Sequence, residues 1–487
     1  MSQDQETAAA ATIDDVVGVR NRLRAVVFGI LLGVMAQARS ARLAMDYVDG
    51  LLGDVAGNCW ALAEAAGHAS PRRMQDLLGC YQWDWADLRA QLPGFAAAHL
   101  PCPDGDIAGP GLAIDETAHL KNGDRTVGAA RQYAGITGQV ENCVTTVFCS
   151  YVTPGGHCWV DGELYLPEPW CAEKARRAAA RVPEDVEFAT KPELAARIVE
   201  RLAAGGKLAI RWVAADEVYG RSARFRAACQ DAGLVYVLTV PVDFTVATAA
   251  GAFRADELAE RARFERRSAG PGSKGPRYYD WALVATASAR HVLLIRRSTR
   301  DPNELAYFYC HVPEGTPATM TLLVTIAGRR WPVEQDFQLG KSVLGWDTSQ
   351  VRTWHAYQRH TALAALAMNV LAAAQAQTTA LTPTPADPAT PPTSPPPAPA
   401  PNHAPAAAEP AIALGDAPVP SRPDQPCPAG IGLIKLTANE TRRLMNLLAS
   451  TATDRAKAFG LAWSTWRRRH QAIARWHHWR ARLRALT

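Results

Sequence analysis

Two short apolar runs that each close on an aspartate constrain this chain more than any other feature. Gly111-Leu112-Ala113-Ile114-Asp115 follows a Pro/Gly-rich entry, and residues 208–216 (Leu-Ala-Ile-Arg-Trp-Val-Ala-Ala-Asp) end on Asp216. Each reads as a short buried strand. Between them, 142–152 and 157–166 flank Pro154-Gly155-Gly156 and read as a hairpin. Residues 171–181, 192–204 and 222–233 read as helices, and 235–240 as another strand. Strands followed by strand–helix alternation specify an α/β fold, a mixed sheet covered by helices.

Open α/β sheets place their sites at the carboxyl ends of strands. If neighbouring strands bring Asp115 and Asp216 together, their charges repel. A divalent cation relieves that repulsion, and hard oxygen ligands favour magnesium, with manganese as the substitute. The simpler alternative is that each aspartate caps the turn that follows it.

A third acid lies in Arg330-Trp331-Pro332-Val333-Glu334-Gln335-Asp336-Phe337-Gln338-Leu339-Gly340-Lys341. Pro332 suits a first helical turn. Glu334, Gln338 and Lys341 then share one helical face, with Val333 and Phe337 on a neighbouring face able to bury against a sheet. A carboxylate and an ammonium on one face suit metal-assisted phosphoryl transfer. A solvated charged face is the plain alternative.

At 487 residues the chain has room for two to four domains. Its ten cysteines are scattered without a Cys-x-x-Cys pair, which argues against a zinc site or disulfide framework and for a reducing cytoplasm. The amino terminus is polar and acidic, unlike a secretion signal. The apolar run 25–38 is too short to span a bilayer, so a buried helix is expected and no membrane partner.

Charge is unevenly placed. From Ile431 onward twelve Lys/Arg face only Glu440 and Asp454, so the tail carries +10 and the remainder −5 of a net +5. This asymmetry points to a polyanionic partner for the tail. In it Arg467-Arg468-Arg469 stand among tryptophans on a basic helix, expected outside any core and against DNA backbone. About half of the 34 prolines fall in 378–428, a segment expected to be an extended linker.

Near the amino end, 58–66 and 70–79 read as two helices joined by a Gly-containing turn, with Ser70 as an N-cap. Arg72, Arg73 and Gln75 would be the exposed DNA-reading candidates of such a pair, and Trp83 and Trp85 would pack. Residues 241–325 read as a β-rich insertion with basic residues near Arg261 and Lys274. A long Ala/Leu-rich helix follows Val351 and should pack on the sheet.

These segments together resemble the DDE transposases of bacterial insertion sequences, most closely those of the insertion sequence 701 family. The resemblance rests on Ala113-Ile114-Asp115-Glu116-Thr117, Lys121-Asn122-Gly123 and Val127-Gly128-Ala129-Ala130-Arg131-Gln132-Tyr133. It extends through Glu163-Leu164-Tyr165-Leu166-Pro167, Phe188-Ala189-Thr190-Lys191-Pro192, Ala215-Asp216-Glu217-Val218-Tyr219-Gly220 and Arg330-Trp331-Pro332-Val333-Glu334. Arg330, Glu334 and Lys341 match the Tyr-x2-Arg-x3-Glu-x6-Lys spacing of the broader group, but Ala327 stands where its tyrosine would be. Asn122 replaces one lysine of the Lys-Lys-Gly often found there.

The resemblance implies an RNase H-like catalytic fold. It implies an N-terminal helical, possibly DNA-binding part (1–104), a catalytic core in two parts (105–240 and 326–377) interrupted by the insertion (241–325), the linker (378–428) and a basic helical tail (429–487). It implies an acid triad of Asp115, Asp216 and Glu334 holding two magnesium ions. Arg330, Lys341, Lys121 and Arg131 would meet phosphates. The expected activity is metal-dependent cleavage and strand transfer of an insertion sequence. The expected partner is double-stranded DNA, as terminal repeats and target, with a homodimer in the synaptic complex and a nucleoid-associated location in the cytoplasm. The alternative is a DNA-binding protein of transposase descent that no longer cuts.

Overall fold

A computed structural model describes residues 3–272, 275–380, 418–449 and 454–484. Most of the expected linker, 381–417, lies outside the described residues. The chain divides into two compact units: Arg22–Gly272 with Pro276–Ala376, and Met1–Asn21 with Ser273–Gly275 and Gln377–Thr487.

The larger unit is built on one ten-stranded mixed sheet. Its strands are β1 (Gly111–Leu120), β2 (Ala130–Ala134), β3 (Gln139–Thr153), β4 (Gly156–Leu164), β5 (Trp212–Ala215) and β6 (Val235–Val240), then β9 (Glu265–Gly272), β10 (Gly275–Ala285), β11 (His291–Arg297) and β12 (Leu305–His311). A separate two-stranded ribbon, β7 (Thr245–Thr248) with β8 (Gly251–Arg254), stands beside it. In the sheet β3 lies antiparallel between β1 and β4, while β5 and β6 run parallel to β1. The order β4-β3-β1-β5-β6, three antiparallel strands followed by two parallel ones, is the RNase H-like arrangement expected. Beyond β6 the sheet continues through β12, β11, β10 and β9. Strands of the expected insertion therefore extend the catalytic sheet itself.

Nearly every side chain of β1, β5 and β6 is buried, because helices cover both faces. One face carries α9 (Lys191–Gly205), α10 (Glu217–Gly220) and α11 (Ala223–Asp231); the other carries α13 (Met320–Gly328) and α14 (Pro332–Ser342). Thr190 and Glu193 form a reciprocal cap at the start of α9, and Ser222 caps α11. The second buried run is a ladder strand only over Trp212–Ala215, the four residues before Asp216.

α14 lies flush on β4. A Cβ at Gly340 would come within 2.1 Å of the Trp159 ring, so only glycine permits the approach. Val333, Asp336 and Phe337 fill the rest of that interface. Asp336 is a carboxylate with no exposed surface; Ser150 Oγ donates to it at 2.6 Å and His157 Nδ1 lies 2.8 Å away.

The amino-terminal helices are α1 (Gln3–Val34), α2 (Ala38–Leu52), α3 (Cys59–Ala65), α4 (Arg72–Gly79), α5 (Trp85–Arg89) and α6 (Leu92–His99). No helix among the described residues is long and apolar enough to cross a membrane. α3 and α4 are the two helices read from the sequence, with Asn58 capping α3. Ser70 does not cap α4, which starts at Arg72 behind Pro71. α2, α3 and α4 pack on one another and are tied to α15 (Trp354–Ala380). Buried Arg359 of α15 donates to the carbonyls of Leu78 and Trp83, and Tyr47 pairs with His360 at 2.9 Å. Trp83 is buried, as expected. Short helices α7 (Glu168–Ala172), α8 (Lys174–Ala179) and α12 (Ala255–Glu260) complete the unit.

In the smaller unit, α16 (Ala438–Ala449) packs on α17 (Asp454–Arg484) through Leu436, Leu444 and Leu461, and Ile431 packs on Ala472 and Trp476.

Candidate active site

The sheet register brings the two strand-end aspartates level. Ile114 of β1 pairs with Ala215 of β5 in parallel, so Asp115 and Asp216 follow side by side on neighbouring strands. Adjacent strands lie about 4.8 Å apart. Asp216 is also the N-cap of α10, where its carboxylate accepts from the Val218 amide at 3.0 Å. The capping alternative therefore holds for Asp216, which at the same time stands beside Asp115.

Arg330 connects the third acid. Its Nη1 donates to Asp115 Oδ2 at 2.8 Å and sits 3.6 Å from Glu334 Oε1, one helical turn away. Glu334 occupies the first turn of α14, where a helix favours negative charge. The residue pattern Arg-x3-Glu therefore places a cation between two carboxylates.

The electrostatics are those of crowded anions. Burial pushes the Asp115 carboxyl well above its usual range; Asp216, Glu116 and Glu334 push the same way, against Arg330. Burial raises Asp216 to about 6, Glu116 adds to the shift, and Arg330 and the capping amides oppose it. Among the described residues, no three His, Cys, Asp or Glu side chains form a ready metal cluster. Buried Asp115 and half-buried Asp216, level with each other and with a third acid one guanidinium away, would offer an all-oxygen donor set. That set suits magnesium or manganese and not zinc or copper.

The cations divide. Lys341 donates to the Ala118 carbonyl at 2.7 Å, and burial lowers its pKa, so it clips α14 to β1. Lys121 donates to the Ser349 carbonyl at 2.7 Å, and burial lowers its pKa to about 8. Arg131 is exposed on β2 and donates to the Val140 carbonyl. In the smaller unit Arg469 is exposed, while the Arg467 side chain lies outside the described residues. Arg468 departs from the expectation that all three arginines avoid the core. It is 6% exposed and donates to the Ile434 carbonyl at 2.8 Å, and burial lowers its pKa to about 10.

Glu116 was given no role in the sequence reading, yet it is central to the opposite face of β1. Successive strand residues point to opposite sides, so Glu116 turns toward α9 and α10 while Asp115 turns toward α14. Lys191 Nζ reaches Glu116 Oε1 at 2.8 Å, and Tyr219 Oη donates to Oε2 at 2.5 Å. This contact fixes α10, which Asp216 caps, against β1. An acid directly after the strand-end aspartate was the available signal; its partners are remote in sequence.

The fold is a mixed α/β sheet covered by helices on both faces. The family described as DDE superfamily endonuclease matches residues 31–301, and the chain belongs to that family. No curated protein matches the chain. Among solved structures, the piggyBac transposase synaptic complex with hairpin DNA is similar at a TM-score of 0.40 and 12% identity, covering 71% of this chain and 67% of that one.

Proposed function

We propose that the protein is a DDE transposase that cleaves DNA and transfers strands at Asp115, Asp216 and Glu334. The observation that carries this reading is the level register of Asp115 and Asp216, with Glu334 held one guanidinium away by Arg330. The partner is double-stranded DNA, as the terminal repeats of the element and its target. Joining two ends calls for two copies of the chain in the reacting complex.

Asp115, Asp216 and Glu334 would hold divalent metal, magnesium or manganese. When bound, two such ions supply charge neutralisation for the phosphate and activation of the attacking oxygen. The chain's own groups do the rest. Asp216 is oriented by the Val218 amide, and Glu116 with Tyr219 keeps that turn against β1. Asp115 is held by its contact with Arg330 and by the Glu116 amide at 2.9 Å. Lys341 fixes the height of α14, and hence of Glu334, along β1. Arg330, whose fork suits carboxylate and phosphate alike, is the cation nearest the reacting phosphate.

The test is incubation with DNA carrying the repeats that flank the gene, with and without magnesium. Magnesium-dependent nicks at the repeat ends are expected. Binding without nicking under every divalent condition would instead identify a silent descendant that only binds DNA.

The tail supplies a second test. Removing 431–487 takes away a charge of +10, and each phosphate contact contributes about −0.9 to the slope of log K against log salt. The truncated protein should show a slope shallower by several units in salt-titrated binding. An unchanged slope would exclude the tail from the DNA backbone.

A further inference from the structure

One cleft in the larger unit has no part in the acid chemistry. It encloses about 880 Å³ between α3 and α4 on one side and the loops 121–126 and 347–352 on the other. Buried Tyr47, Leu78 and Ala356 are part of its lining. Trp60 lines it with 64% of its surface exposed, a large aromatic left facing water. Lys121, Arg125 and Arg352 line it too, against Asp124 and Asp347. Gln75, one of the three DNA-reading candidates of α4, opens onto the same space. Arg72 does not: it pairs with Asp76 along its own helix.

The cleft walls are fixed. A Cβ at Gly57 would come within 2.3 Å of the Gly345 carbonyl oxygen, so the α2–α3 loop and the 345–348 turn touch backbone to backbone. The Gly57 amide donates to Thr348 Oγ1 at 2.8 Å, and that hydroxyl donates to the Gly345 carbonyl at 2.7 Å. Across the cleft, Lys121 and the Val127 amide hold the carbonyls of Ser349 and Arg352. The shape is therefore present before any ligand arrives.

We infer that this cleft binds a single-stranded segment of DNA, with one unstacked base against Trp60 and the backbone along Arg125 and Arg352. This rests on the DNA reading proposed above. Three features point to a single strand. A concave space with Tyr47, Leu78 and Ala356 among polar groups in its lining admits a flat ring with hydrogen-bonding edges, whereas a duplex keeps its bases stacked inward. An exposed aromatic is a platform for one base, worth about 1–3 kcal/mol irrespective of sequence. Arg125 and Arg352 are exposed, have no ion-pair partner among the described residues, and suit phosphate. The position fits a flanking segment: Lys121 lies six residues beyond Asp115, about 20 Å along an extended strand. That is about six nucleotides of B-form strand.

The experiment measures anisotropy of labelled oligothymidylate and of the matching dT·dA duplex on the full chain. It is run in EDTA, at elevated salt that suppresses the tail's contribution. Trp60→Ala should weaken single-strand binding about tenfold and leave duplex binding within twofold, while Trp60→Phe restores most of the loss. Arg352→Ala should weaken single-strand binding as well. Single-strand binding unchanged in Trp60→Ala, or a loss equal for both DNAs, overturns the inference. Neither result touches the catalytic reading, because no metal and no acid enters this measurement. Failure of that reading appears separately, as a parent protein that does not nick with magnesium.

Discussion

Asp216→Asn is expected to abolish magnesium-dependent nicking, by a factor on the order of a thousand or more, while making the metal-free protein more stable. The first effect follows from removing one carboxylate from a site whose work is charge placement. The second follows from the crowding that raises the Asp216 pKa. Burial and the neighbouring Glu116 charge both disfavour the ionised form, and an amide carries no charge to repel. Relief on the order of 1–2 kcal/mol is expected in urea unfolding with EDTA present. Magnesium should then stabilise the parent by mass action and leave the variant unmoved. Asp115→Asn should lose nicking equally but gain less stability, since relief of crowding is offset by the loss of the anion that pairs with Arg330. Glu334→Gln should behave as a loss of activity with little change in stability, because the Glu334 side chain is 40% exposed. Repeat-end binding should survive in all three. A variant that nicks like the parent, or an Asp216→Asn protein that magnesium still stabilises, would remove that residue from the site.

The candidate acids at 115, 216 and 334 stand out in the sequence because each breaks a local pattern. An aspartate closing an apolar strand, or a glutamate one turn from an arginine behind a helix-starting proline, stands out against its neighbours. What sequence could not show were partners far along the chain. Glu116 meets Lys191 and Tyr219, 75 and 103 residues away. The extension of the sheet depends on β12 pairing with β6 across a long excursion that holds β7 to β11. Arg468 was misread for a different reason. Three consecutive residues on a helix point about 100° apart, so they cannot share an environment. Leu461, Ser464, Arg468, Ala472 and Trp476 are all buried and fall at helical spacing on one face. The period of the helix, and not the composition of the triplet, decides where Arg468 goes. The same rule was available for Asp336, which stands with Val333, Phe337 and Gly340 at i, i+3, i+4 and i+7. A lone acid on an apolar face announces a buried partner, but not which one.

Asp336→Ala is expected to cost about 3 kcal/mol of unfolding free energy, the low end for breaking a buried charged pair, because Asp336 has no exposed surface while its partner His157 keeps 24% of its side chain exposed. Nothing would then satisfy Ser150 Oγ, and His157 would keep a ring in the α14–β4 interface without its acceptor. The pair also gives stability a pH dependence with a definite sign. Burial opposes a charge on His157, but the Asp336 charge and hydrogen bonds to Asp336 and Gln335 outweigh it, so the folded-state pKa is raised above the ordinary 6.5. A raised imidazole pKa means the folded chain holds a proton that the unfolded chain releases. Its stabilisation is complete below about pH 6.5 and is lost as pH rises through the higher folded value. Urea midpoints of the parent should therefore fall across that window. In His157→Gln, which keeps a donor for Asp336 and cannot titrate, that decline should shrink to what the raised Asp115 carboxyl contributes. Asp336→Asn separates charge from shape, since it fits the same space and leaves His157 without an anion. It should lose stability mainly on the acid side of the window. Because Asp336 sits two residues from Glu334 on the same helix, these variants should also loosen the third acid. Nicking should fall in Asp336→Ala at temperatures where the protein is still folded, with weaker magnesium dependence as its signature. A stability profile of His157→Gln parallel to the parent's would show that this pair does not govern the pH response, and full nicking by folded Asp336→Ala would show that α14 holds Glu334 without it.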